Sequence, residues 1–195
     1  MTPRINSTRR LALLAAVAAT AMLPGCSGSS DEGKSDATAE VSNETLAEEI
    51  SDAGNLSVVS GAIGDAGLSA VFDSAAAYTI FTPQDSAFDK LGDPGKALRD
   101  PAQRPALIAI LRDHIVPGYL TPEDISNAID VSDDKKVQMH TMGGHTLTFT
   151  SNGDTVTVTN EDGSSAKFAG NALRASNGVA IPLDGVLKKV DTPAA

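Results

Sequence analysis

Three histidines and a single cysteine are the side chains in this 195-residue sequence best suited to bind a metal or to react. His140 and His145 flank a turn that contains two glycines, and Met139 is adjacent. A hairpin there would bring two imidazoles and a thioether together, and such soft ligands suit Cu(I). Two nitrogens without a third firm ligand make a weak site. We therefore expect partly exposed sheet histidines, and neither a bound metal nor another cofactor.

Motifs for nucleophilic catalysis are incomplete. The segment Gly67–Val71 (GLSAV) lacks the second glycine of a nucleophile elbow. Ser132 with Lys135, and Ser164 with Lys167, match the Ser-x-x-Lys element of β-lactamases, but no SDN or KTG motif accompanies them. We therefore expect that the protein is not an enzyme. A hydrolase with an unrecognised site is the least favoured alternative.

The cysteine belongs to a processing signal. Residues 1–25 combine three arginines with a short apolar run over 11–23, which is typical of a signal peptide. The sequence Leu23-Pro24-Gly25-Cys26 resembles the bacterial lipobox, in which the cysteine is acylated and becomes the mature N-terminus. We therefore expect lipidation at Cys26 and export to the bacterial cell envelope, anchored to a membrane and facing the periplasm or the surface. The alternative is an ordinary signal peptide with an incidental cysteine.

The charge and the composition of the chain disfavour several classes of binding partner. Cleavage before Cys26 would leave 12 basic and 25 acidic residues, a net charge of −13, which disfavours nucleic-acid binding. Aromatic residues make up 4% of the chain and tryptophan is absent, so a sugar-binding or base-stacking aromatic platform is not expected. Residues 26–41 are rich in Ser, Gly and acids, which predicts a flexible tether.

Capping residues predict the first helices of a domain over 42–190. Ser42 or Asn43 is the expected N-cap of the first helix, and Asn55 that of the second. Gly67 is expected to end the second helix in a left-handed conformation.

A strand that turns directly into a helix is predicted over 78–88. Tyr78–Phe81 is apolar, and Thr82-Pro83 reads as an N-cap followed by proline at the first helical position. Asp85 would lie in the first turn, where its carboxylate can accept hydrogen bonds from free backbone N–H groups. We therefore expect Asp85 to be a structural cap and not a catalytic acid.

The third histidine is expected at the end of a helix that begins at Asp100-Pro101. Leu107, Ile110, Leu111 and His114 follow the i, i+3, i+4, i+7 pattern, which places His114 on the buried face. A further capped helix is predicted from Thr121 to Ala128.

From Val137 onward apolar and polar residues recur with a period of two, which is the period of a β-strand. Segments 146–150 and 155–159 alternate strictly, and Asn152-Gly153 between them indicates a hairpin. The side chains expected to face inward are Leu147, Phe149, Val156 and Val158. Asn177-Gly178 predicts a turn with positive φ before an apolar strand over 179–190. Helices followed by a meander indicate an α+β fold.

Three segments resemble the fasciclin (FAS1) domain: Tyr78–Phe88 (YTIFTPQDSAF) and Asn177–Leu187 (NGVAIPLDGVL) resemble its two conserved blocks, and His114–Gly118 (HIVPG) its histidine motif. The resemblance covers residues 42–190. It implies a single FAS1 domain, a β-sandwich-like wedge with N-terminal and flanking helices. It also implies cell adhesion or binding of surface or matrix material, with an unidentified surface protein or polysaccharide as partner.

The sequence departs from the family pattern at Ile181, where histidine is common, at Pro182, and at Asp113. In animal relatives a Tyr-His pair at the position of His114 is implicated in integrin binding, and here Asp113 replaces the tyrosine. We therefore expect His114 to be a buried residue bonded to backbone. A carrier of a small apolar ligand such as a lipid remains the first alternative function, and a sizeable apolar pocket would favour it.

Overall fold

A computed structural model describes residues 41–72 and 76–189. The predicted signal peptide, Cys26 and the tether up to residue 40 lie outside these ranges, as does residue 190. The helices are α1 Leu46–Asp52, α2 Ser57–Asp65, α3 Ser69–Phe72, α4 Asp85–Lys90, α5 Asp93–Leu98, α6 Arg104–Arg112 and α7 Pro122–Val131. The strands are β1 Tyr78–Pro83, β2 Ile115–Pro117, β3 Lys136–His140, β4 Thr146–Asn152, β5 Thr155–Asn160, β6 Ser165–Lys167, β7 Leu173–Ala175 and β8 Gly178–Leu183.

Some helix ends follow local capping rules, and the cap of α1 is shifted from the predicted position. The cap of α1 is Thr45, which forms a capping box with Glu48, so the predicted caps Ser42 and Asn43 are wrong. The Ser42 N–H instead donates to the carbonyl of Arg174 at 2.8 Å, which fixes this residue before the helix begins. Gly67 ends α2 with φ of 64°, as predicted.

Three later helices differ from the prediction. Helix α6 begins at Arg104 and not at Asp100-Pro101, because Asp100 caps a separate 3-10 helix over Pro101–Gln103. Helix α7 starts at the predicted Thr121 capping box but continues to Val131, beyond Ala128. Helix α5 was not predicted, because Gly92, Pro94 and Gly95 are turn residues in most contexts. A Cβ at Gly95 would lie 1.9 Å from the carbonyl oxygen of Phe88, so α5 packs against α4 only with glycine there.

The first sheet has the order β2-β1-β8-β7, with β1 and β8 parallel and in register from Tyr78 opposite Gly178 to Pro83 opposite Leu183. The predicted positive φ of the Asn177-Gly178 turn is wrong, because Gly178 does not have positive φ. Glycine is needed there for space: a Cβ would lie 2.4 Å from the carbonyl oxygen of Tyr78. The turn itself consists of Ser176 and Asn177, since Ala175 pairs with Gly178.

The second sheet is the predicted meander, in the order β3-β4-β5-β6. Asn152 pairs with Thr155, so the two turn residues are Gly153 and Asp154, one position later than predicted. Gly153 has φ of 58°, the left-handed conformation that such a hairpin requires. The four side chains predicted to face inward are all buried.

Two apolar cores hold the elements together. One lies between the first sheet and the helices α1, α2, α4 and α6. The other joins the two sheets and α7, with Phe81 of β1 against Phe149 of β4 at 5.0 Å between ring centroids. Strands β1 and β8 contribute to both cores, which explains why they are buried along almost their whole length. The two sheets face each other across the second core, as expected of a sandwich-like wedge.

None of the helices in residues 41–72 and 76–189 is long and apolar enough to cross a membrane.

Candidate functional site

His114 is fully buried at the end of α6, and both of its ring nitrogens bind backbone. Nδ1 lies 2.8 Å from the carbonyl oxygen of Ile110, so it donates a hydrogen. Nε2 accepts a hydrogen bond from the backbone N–H of Leu187 at 3.0 Å, and the ring is therefore neutral. Burial lowers the pKa of His114 to about 4, and the Ile110 hydrogen bond and the charge of Asp113, which both raise it, do not offset this. The imidazole ties α6 to the segment after β8 and presents no free polar atom.

Asp113 points away from His114 and holds the turn between β3 and β4. Its side chain is 6% exposed, and its Oδ1 lies 2.7 Å from Nδ1 of His145, whose side chain is 42% exposed. The backbone N–H of Gly143 donates to the carbonyl of Arg112 at 3.0 Å. A Cβ at Gly143 would lie 1.8 Å from Oδ1 of Asp113, so only glycine lets the turn come this close.

The two candidate metal ligands have different partners. His145 is paired with Asp113, whereas Nδ1 of the exposed His140 lies 3.3 Å from the hydroxyl of Thr146. In the part of the chain that the structure describes, no group of three His, Cys, Asp or Glu side chains could hold a metal ion.

Asp85 caps a helix, but not its own. Its carboxylate accepts hydrogen bonds from the N–H and hydroxyl of Ser57 and from the N–H of Val58 at 2.9 Å, all at the start of α2. Its own N–H donates to the carbonyl of Asn55 at 2.9 Å. The predicted caps Asn55 for α2 and Thr82 for the following helix are therefore wrong, since Leu56 and Gln84 hold those positions without a side-chain cap.

The hydrogen bonds to Asp85 stabilise its charged form. Partial burial acts to raise the pKa of this carboxyl, but the bonds from Val58 and Ser57 outweigh it and hold the pKa below its usual value. The charge of Arg99 acts in the same direction. Asp85 is thus a bonded anion at neutral pH, engaged with backbone as a non-local cap.

A groove of about 670 Å³ runs along α6, which we call the α6 groove. Its wall is largely apolar and includes Leu98, Pro105, Ala106, Ile108, Ala109 and Met142. Its cationic residues are Arg112, Lys188 and Lys189. The sequence signal was the unbroken apolar run over 105–111, which is wider than one buried helix face requires.

The outward side of the second sheet forms a regular polar surface, which we call the threonine face. Strand register aligns its side chains in two rows across the four strands. The first row is Lys136, Thr150, Thr157 and Lys167, and the second is Gln138, Thr148, Thr159 and Ser165. All eight are exposed or half-buried, and Nε2 of Gln138 donates to the hydroxyl of Thr148 at 3.3 Å. These rows contain no carboxylate, in contrast to the acidic chain as a whole.

Comparison with known proteins agrees with the architecture. A family model described as "Fasciclin domain" matches residues 54–189. A solved FAS1 domain pair from the insect cell adhesion molecule Fasciclin I has a similar fold, with a TM-score of 0.64, 14% sequence identity and 75% of this chain covered. The match covers 51% of that structure, so the chain spans about half of its length. No curated protein matches this chain.

Proposed function

This chain belongs to the fasciclin domain family, and from this premise we propose that it is a cell-envelope adhesion module that binds a surface protein or polysaccharide. The similar insect structure comes from a cell adhesion molecule, which supports this role. The side chains of His114 and Asp85 are both engaged in hydrogen bonds to backbone groups. This favours a binding role over a catalytic one.

The threonine face is the observation that carries the proposal. Short hydroxyl side chains on adjacent strands make a flat surface that offers both donors and acceptors without the desolvation cost of burying charge. The two rows hold Lys167 and Lys136, which is paired with Asp134 at 3.2 Å, and they contain no acid of their own. A partner therefore meets less negative charge at these rows than a net charge of −10 for the chain would suggest. A neutral or anionic surface polymer, or a polar protein surface, would be complementary to it.

Attachment through Cys26 completes the proposed role. Acyl chains on this residue would hold the protein in the membrane, and the acidic Ser- and Gly-rich segment over 26–41 would act as a spacer. The domain would then present its binding face at a distance from the lipid, towards the periplasm or the surface.

The test is binding of beads coated with the protein to envelope preparations, some treated with protease and others with periodate. Thr148 and Ser165 lie in the same row on either side of Thr159, and changing both to Glu adds charge to the threonine face without placing two carboxylates directly opposite each other. We expect this variant to lose binding while it melts like the parent. Asn127→Glu, an exposed position on α7, is the control and should bind normally. The enzyme or oxidant that abolishes binding identifies the partner as protein or polysaccharide. Undiminished binding by the double variant would refute this face as the contact.

Carriage of a small apolar ligand is the second candidate function. The α6 groove favours it, because its volume of about 670 Å³ lies in the range of small-molecule sites, roughly 300–1,000 Å³.

A further inference from the structure

We infer that the α6 groove binds the chain of a fatty carboxylate, with the carboxylate held at the C-terminal end of α6. The inference rests on the second candidate function, carriage of an apolar ligand, and does not depend on adhesion through the threonine face. The ligand has two chemical parts, an unbranched apolar chain and one negative charge.

The apolar part follows from helix α6. All residues over 105–111 are apolar, but within the helix only Ile110 and Leu111 are buried. A helix on the surface of a domain needs one apolar stripe to pack on the core, and the remaining positions are normally polar. Here Pro105, Ala106 and Ala109 are exposed and Ile108 is half-buried, and all four line the groove. This second apolar stripe would be removed from water by a hydrocarbon chain lying along the helix.

The cations are at one end of the groove. Arg112 is the last residue of α6, and at a rise of about 1.5 Å per residue it lies roughly 10 Å along the axis from Pro105. Lys188 directly follows Leu187, whose N–H is bound by His114 immediately after α6. Lys188 and Lys189 are therefore close to the same end of the helix as Arg112. An apolar wall with cations at one end matches the polarity of a fatty carboxylate.

The three cations form no close ion pair with a carboxylate, although the charge of Lys188 also acts on Asp162. None of them takes part in an ion pair within residues 41–72 and 76–189. The carboxylates nearby are already engaged: Asp113 with His145, and Asp162 with the N–H and hydroxyl of Ser164 and the backbone N–H of Lys189. Cations that form no close ion pair in an acidic protein are available to a bound anion.

The test is a fluorescence titration of the purified chain with 11-(dansylamino)undecanoic acid and, in parallel, with its uncharged methyl ester. We expect saturable binding of the acid at one site with a blue shift in emission, and at least roughly ten-fold weaker binding of the ester. Changing both Arg112 and Lys188 to Gln should weaken binding of the acid by about the same factor and leave the ester unchanged. Lys96→Gln, outside both the groove and the threonine face, should change neither.

Ile108→Glu probes the apolar wall, because it places a charge in the groove at a half-buried position. We expect this variant to bind neither the acid nor the ester, while its melting temperature and its binding to envelope preparations stay normal. Val131→Glu, at a position that is 83% exposed, should keep both probes. Absence of saturable binding, or equal affinity for acid and ester, would overturn the inference. A dimer of the parent chain that Ile108→Glu dissociates would also overturn it, since a second copy would then fill the groove. Binding of both probes by Ile108→Glu would overturn it as well, whereas loss of envelope binding by this variant would count against adhesion through the threonine face.

Discussion

At the scale of single residues, two neighbours at the end of α6 have separate tasks. His114 is buried in the core and binds backbone through both ring nitrogens, whereas Asp113, whose side chain is 6% exposed, binds His145. Asp113 holds the β3–β4 turn against the helix, next to the α6 groove.

The burial of neutral His114 predicts a pH-dependent stability. Its pKa is about 4 in the folded protein and 6.5 for the free side chain, so between these values the unfolded chain binds more protons. The stabilisation is complete above about pH 6.5 and is lost as the pH falls towards 4, by about 3 kcal/mol in total. Denaturant unfolding at a series of pH values measures this. The lowered pKa of Asp85 acts only below its ordinary value of 3.8, outside this window.

Two substitutions, one at His114 and one at His140, control for this prediction. His114→Gln should be less stable at pH 7 but should lack the loss between pH 6.5 and 4. His140→Gln, on an exposed position, should keep the loss of the parent. If the parent and His114→Gln show the same pH dependence, a group other than His114 is responsible.

At the scale of elements, Asp85 joins helices that are far apart in sequence. It is the first residue of α4, yet its carboxylate completes the first turn of α2, 27 residues earlier, while its N–H binds the carbonyl of Asn55. This exchange of hydrogen bonds resembles a capping box made between two segments. The strand-to-helix segment after β1 is therefore also what starts α2.

Removal of this carboxylate should destabilise the domain as the loss of an N-cap does. We expect Asp85→Ala to lower the free energy of unfolding by about 1–2 kcal/mol and to speed amide exchange at Ser57 and Val58. Asp89→Ala on the same helix removes an exposed ion pair with Arg99, and it should cost less than about 0.5 kcal/mol. Equal effects of the two substitutions in chemical denaturation would show that the contact with α2 contributes nothing.

At the scale of the whole molecule, the proposed anchor and the folded domain are separate parts of one chain. Residues 1–40 carry the lipobox-like sequence and the acidic spacer, and the elements begin at α1. Acyl chains would provide membrane affinity that the cleaved protein, with 12 basic and 25 acidic residues and a net charge of −13, would not provide by itself. The position of the protein in the envelope would then depend on one side chain.

Cys26→Ser should move the protein from the membrane fraction to the soluble exported fraction. The substitution removes the side chain that is expected to be acylated, and two or more acyl chains are needed for stable anchoring. Fractionation of cells followed by immunoblotting measures this. Ser27→Ala, the neighbouring substitution, should leave the protein in the membrane fraction. A Cys26→Ser protein that stays membrane-bound would require a different anchor.

The sequence alone determined the features that depend on neighbours within about four residues. The Thr121 cap, the Gly67 helix end and the alternating strands around the 152–155 hairpin are such features, as is the placement of His114 on a buried face. Each follows from a period or a cap that the chain repeats locally.

Only the tertiary structure decided which distant segments meet. It paired β1 with β8, almost 100 positions later in the chain, and it turned Asp85 towards α2. It also assembled the α6 groove from three separate segments, and it aligned the threonine face by strand register. The physical reason is that a local pattern specifies which face of an element is buried, but not which other element covers it. That choice depends on the shape and volume of the packed cores, which no short stretch of sequence contains.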